Sequence, residues 1–78
     1  MKNIDHMTPE QYRRALERLQ LSQLGAARLF GVAPRTSRRW AALDEEIGAP
    51  IPPIAARFIR YIIATKKTGE QVRRKLEE

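Results

Sequence analysis

Apolar residues recur along the chain at helical intervals, and glycine and proline break the rhythm at short range. No stretch alternates in the manner of a strand, and there is no internal repeat. Tyr12, Ala15, Leu16 and Leu19 fall at i, i+3, i+4 and i+7 and predict a helix over about Pro9–Leu19, with Arg13, Arg14, Glu17 and Arg18 off the apolar stripe. Thr8-Pro9-Glu10-Gln11 marks its start: a capping threonine, a proline suited to the first helical position, and a glutamine that completes a capping box. Ser22 caps a second, two-turn helix over Gln23–Phe30, which Gly31 stops. Pro34 opens a third helix running to Ala42, and Asp44, Glu45, Glu46, Gly48 and Pro50 mark a polar loop. Pro52 and Pro53 open a fourth helix, Pro53–Thr65, dense in apolar residues and closed by Lys66 and Lys67, whose charge suits a helix C-terminus.

A second capping box, Thr68-Gly69-Glu70-Gln71, starts a tail helix toward Glu78. Only Val72 and Leu76 are apolar in it, so it holds only by packing on something. The pattern predicts an all-α fold, a compact four- to five-helix bundle of one domain, with residues 1–7 as a flexible N-terminus. The expected core is Tyr12, Leu16, Leu19, Ala27, Phe30, Val32, Trp40, Phe58 and Ile62.

Composition narrows the functions. A chain of 78 residues is one domain with a marginal core, so it depends on good helix packing, on a partner subunit, or on both. It has no cysteine, hence no disulfide and no thiolate metal site. With the single histidine, His6, near the terminus, no catalytic constellation and no metal site is expected, and the chain is read as a non-enzyme without cofactor or small-molecule ligand. Asp44, Glu45 and Glu46 read as solvated loop acids rather than as a carboxylate cluster for a metal. No apolar run reaches the ~18 residues of a membrane span, and the first residues lack the apolar core of a signal peptide. A cytoplasmic protein with no membrane partner is the expectation.

The net charge is +6, and eleven of the fifteen basic residues are arginine. That balance suggests a polyanionic partner. The charge is uneven: residues 28–40 carry Arg28, Arg35, Arg38 and Arg39 and no acid. A merely solvated helix face normally mixes signs, so this stretch reads as a nucleic-acid footprint.

Gln23 to Trp40, QLGAARLFGVAPRTSRRW, reads as one unit of helix, turn and helix. Ala27 is small enough for the second helix to cross close by, Gly31 can take a positive φ, and Val32 plugs the corner. Ala26, Phe30 and Trp40 supply the shared core, Trp40 reading as core rather than as a base-stacking group. Arg35, Arg38 and Arg39 lie at i, i+3 and i+4, opposite Ser37 and Trp40, and present three guanidinium groups on one face. Arg57, Arg60, Lys66 and Lys67 either add phosphate contacts or are simply exposed.

At Leu21-Ser22-Gln23, Ala27, Gly31-Val32 and Arg35-Thr36 up to Arg39-Trp40, the chain resembles the phage repressor/Cro-like helix-turn-helix regulators, with a lambda-repressor-like DNA-binding domain. The resemblance runs from the first helix to about Ile63. It implies a bundle that binds double-stranded operator DNA, commonly as a homodimer on an inverted repeat. It places Arg35, Arg38, Arg39 and Pro34 at base edges of the major groove, and Ser22, Gln23, Thr36 and Arg28 at phosphates. Three departures are visible. Ala33 stands at the cap position of the third helix; Ser37 replaces a branched apolar residue and is expected to bond back to the Ala33 carbonyl; the loop from Leu43 to Pro52 is long.

Small members of this family include repressors of short phage or bacterial operons, anti-CRISPR-associated regulators and antitoxins. Two functions follow. The first is a sequence-specific transcriptional regulator, most simply a repressor. The second is an antitoxin or other protein-interaction module that binds a toxin or phage assembly partner, with Thr68 to Glu78 as the candidate binding segment. The expected dimer surface is Tyr61, Ile63, Val72 and Leu76, apolar residues late in the chain that four short helices do not all need.

Overall fold

In the computed structural model, which describes residues 5–44 and 46–78, the local signals turn into five helices: α1 (Pro9–Arg18), α2 (Gln23–Phe30), α3 (Pro34–Trp40), α4 (Pro53–Thr65) and α5 (Gly69–Leu76). Among the described residues there is no strand. Both capping boxes form. Thr8 Oγ1 accepts from the Gln11 amide while Gln11 Oε1 accepts from the Thr8 amide, and Thr68 and Gln71 repeat the exchange. Each satisfies two otherwise orphaned donors of a helix start. α3 ends at Trp40, short of the expected Ala42, because the Ala42 amide turns to the Arg39 carbonyl in a tighter bond.

The core gathers one face from each of the first four helices. Tyr12, Leu16 and Leu19 come from α1 and its cap, Ala26 and Leu29 from α2, Trp40 from α3, and Ala56, Ile59 and Ile62 from α4. Trp40 is the hub of its aromatic part, edge-on to Tyr12 at 5.8 Å between centroids and tilted against Phe30 at 6.0 Å. Three expected core residues, Phe30, Val32 and Phe58, are only partly buried, because they wall an open apolar groove rather than fill the centre. Met7, expected in a flexible terminus, is buried, and Asp5 pairs with Arg57 on α4. Residues 1–4, the rest of that expected terminus, and Glu45 lie outside the described residues.

α5 docks inside its own subunit. The Gly69 amide donates to the Leu19 carbonyl at 2.9 Å, and Val72 packs half-buried against the core. A Cβ on Gly69 would stand 2.3 Å from Leu21 Cγ, so the start of α5 sits against Leu21 at a distance that only glycine permits. The loop after α3 folds back on it: the Ile47 and Gly48 amides donate to the Asp44 carbonyl, the Glu46 amide to Asp44 Oδ1, and the Ala49 amide to the Arg39 carbonyl. No helix of the described residues is long and apolar enough to cross a membrane.

Candidate nucleic-acid interface

The α2–turn–α3 unit is shaped by small residues and one left-handed backbone position. Ser22 Oγ accepts from the Gly25 amide at 2.9 Å and starts α2. Gly31 ends it at φ 70°, ψ 32°, a conformation in which a Cβ would be strained. Ala26 and Ala27 are buried to within 1% at the crossing, which lets α3 approach closely. Pro34 occupies the first turn of α3, and Ala33 makes no side-chain cap, as its apolar side chain dictates.

α3 is two-faced. Ser37 and Trp40 point inward, while Pro34, Arg35, Arg38 and Arg39 are exposed and Thr36 is half-buried. Ser22 and Arg28 are exposed and Gln23 is half-buried on the neighbouring α2. The structure therefore collects the residues named for base and phosphate contact on two adjoining helices.

The Ser37 hydroxyl does not bond back to the Ala33 carbonyl. It lies 2.7 Å from Tyr12 Oη and donates to Gln23 Oε1 at 2.8 Å. The partners are 25 and 14 residues away, so no local pattern announces them. Burial pushes the Tyr12 hydroxyl above its usual pKa, and the bond with Ser37 opposes that in part. Arg13 is a second residue that sequence reasoning passed over. Its Nε donates to the Ala41 carbonyl at the C-terminus of α3, tying α1 to the exposed helix where a cation is favoured.

The arginines divide sharply. Arg57 pairs with Asp5, Arg60 donates to the His6 carbonyl at 2.9 Å, and Arg73 bridges Glu70 and Glu77. Arg74 lies 3.6 Å from Glu70. Arg57 and Arg60, left open between phosphate contact and mere exposure, are thus occupied by the N-terminal segment. Among the described residues, Arg28, Arg35, Arg38 and Arg39 have no side-chain hydrogen bond or ion pair, and neither do Arg14, Arg18, Lys66 and Lys67. Four of these free cations lie on α2 and α3, in the acid-free stretch from Arg28 to Trp40.

The apolar surface is arranged differently from the expected dimer patch. Tyr61 is 68% and Leu76 63% exposed, but Ile63 and Val72 are half-buried against their own core. Ile54, the second residue of α4, is the most exposed large apolar residue among the described residues at 79%. It borders the groove, about 430 Å³, walled by Phe30, Val32, Trp40 and Phe58. Among the described residues no group of acids or histidine is placed to hold a metal, and Asp44 is engaged in its own turn. Comparison with family models, curated proteins and solved structures gives no match.

Proposed function

We propose that this chain is a sequence-specific DNA-binding regulator, a repressor of a short phage or bacterial operon, which lays α3 in the major groove and acts as a homodimer on an inverted repeat. The observation that carries this reading is the set of exposed arginines Arg35, Arg38 and Arg39 on one side of α3, which have no internal partner among the described residues, while the arginines of α4 and α5 are held by carboxylates and carbonyls. Exposed guanidinium groups left without an internal partner suit the acceptors of a duplex: guanine O6 and N7 in the groove, and phosphate oxygens beside it. Arg35, Arg38 and Arg39, with Pro34 at the edge, take the base contacts. Ser22, Gln23, Arg28 and Thr36 take the phosphates.

One module of this size falls short of the ~10⁻⁸ M affinity of specific sites, which favours two copies reading half-sites about 34 Å apart. The pairing surface in this reading is the exposed part of α4 and the end of α5, where Tyr61 and Leu76 remain uncovered and Ile54 adds to them. Selection of bound sequences from random duplex DNA tests the whole reading. A two-fold symmetric motif supports it. Enrichment of no motif, with affinity that depends on salt alone, refutes sequence-specific regulation. Sedimentation tests the dimer: a chain that stays monomeric at high micromolar concentration and binds a single half-site with full affinity removes it.

A further inference from the structure

The buried serine of α3 has a role beyond filling space. Ser37 and Tyr12 are both 0% exposed, and Ser37 Oγ sits between Tyr12 Oη and Gln23 Oε1. The hydroxyl of Ser37 has one hydrogen, and Gln23 Oε1 receives it. Tyr12 must then donate into Ser37 Oγ, and each buried oxygen is satisfied. With the Gln23 amide turned over, Nε2 would donate to Ser37 Oγ, and the hydroxyl hydrogens of Ser37 and Tyr12 would have only each other's oxygen as acceptor among the described residues, so one of the two would be left without a partner. An orphaned buried hydroxyl disfavours that arrangement by about tenfold or more. Proton counting therefore sets the orientation of an amide that geometry alone leaves ambiguous.

The other end of the amide follows. Gln23 Nε2 has no partner among the described residues, and no buried side-chain nitrogen there lacks one, so Nε2 reaches solvent. We propose that Ser37 is a positioning residue: together with Tyr12 it holds the Gln23 amide with its donor end outward, at the first residue of α2, ready for a backbone phosphate. The reversed amide would offer a phosphate a carbonyl oxygen, which repels it. This rests on the DNA reading above for the identity of the anion, but the hydrogen-bond order stands on the protein alone. It also accounts for a serine at a position where the resembling family has a branched apolar residue.

The test uses the full chain in two measurements. The first follows the Gln23 side-chain NH2 group by ¹⁵N relaxation without DNA: it is expected to be restrained in the wild type and free in Ser37→Ala, with Ser37→Thr restoring restraint. The second is a double-mutant cycle on a short random-sequence duplex. Gln23→Ala and Ser37→Ala are each expected to weaken binding about threefold to tenfold and to lower the salt slope by about one, and the double variant to be no weaker than either alone. Multiplying effects, or a Ser37→Ala variant with unchanged affinity and slope, overturn the proposal. A freely moving wild-type amide in a protein that binds DNA overturns it while leaving the DNA reading intact. A restrained amide in a protein that binds no duplex overturns the phosphate role together with that reading.

Discussion

Arg38 on α3 and Arg57 on α4 are both exposed arginines on short helices opened by proline, yet they stand in different company. Arg57 faces Asp5, and one turn along Arg60 reaches the His6 carbonyl, so this face of α4 secures the N-terminal segment. Arg38 and its neighbours Arg35 and Arg39 have no such partner among the described residues, and the chain supplies no acid from Arg28 to Trp40. The arginines of α4 and α5 are engaged in internal pairs; those of the α2–α3 unit are unpaired among the described residues. The contrast teaches that net charge is a poor guide to a binding face, and that the unpaired charge is the better one. The +6 of the whole chain includes Arg73, which Glu70 and Glu77 already occupy.

The widest separation is expected when the two sets of arginines are exchanged for alanine. Replacing Arg35, Arg38 and Arg39 together should abolish sequence preference while leaving the salt slope, which the phosphate contacts set, largely in place. Each single replacement should cost ~1–3 kcal/mol of discrimination at particular base pairs. Arg57→Ala and Arg60→Ala should leave the preference unchanged. Binding isotherms on the selected motif and on scrambled DNA measure both, and a loss at Arg57 equal to that at Arg38 would break the comparison.

Next come the close approaches that hold the two regions together. Ala27→Leu overpacks the crossing of α2 with α3, and Gly69→Ala drives a methyl group into Leu21 under α5. Each should cost ~1–3 kcal/mol in denaturant unfolding followed by circular dichroism. The two differ in consequence: the first should also weaken DNA binding, because it shifts α3, whereas the second should loosen α5 and leave α3 in place. Equal binding by both variants would mean that the position of α3 does not depend on the α2 crossing.

Tyr12 sharpens the comparison from the alkaline side. Its pKa is raised in the fold by burial, so the unfolded chain ionises first. Its contribution is intact below the ordinary tyrosine value of 10.0 and is lost as pH rises from there through the raised value. Melting temperatures should fall above that pH in the wild type and less steeply in Tyr12→Phe.

The smallest effects belong to the exposed pairs. The hydrogen bond and charge of Arg57 hold Asp5 below its ordinary 3.8, and Arg73 holds Glu70 below its ordinary 4.5. Lowered carboxylate pKa values stabilise the fold above the ordinary values, and that gain disappears as pH falls through the lowered ones. Acid melts should show a shallow decline there, smaller still in Asp5→Asn and Glu70→Gln, because exposed pairs are screened by solvent. A steep acid transition removed by one of these changes would show that the paired arginines matter more to the fold than the comparison allows.

Helix starts were legible because their causes lie within four residues. The boxes at Thr8 and Thr68, the prolines Pro9, Pro34 and Pro53, and the stop at Gly31 act through bonds and dihedrals that neighbours in the chain decide, and α2 and α4 run over the residues the pattern names. The amphipathic split of α3, with arginines out and Trp40 in, follows from the same helical spacing. Tertiary structure decided what lies across the crossings. Ser37 meets Tyr12 and Gln23, Arg13 meets Ala41, Arg57 meets Asp5 at a separation of 52 residues, and Gly69 meets Leu21. Spacing in the chain says nothing of such pairs, since they depend on the angle and distance at which helices cross. Those are set by the side chains packed between them: Ala26 and Ala27 where α2 meets α3, and Leu21 where α5 docks. The division of the arginines into paired and unpaired is of this second kind, because whether a guanidinium finds a carboxylate is settled only when distant segments have been brought side by side.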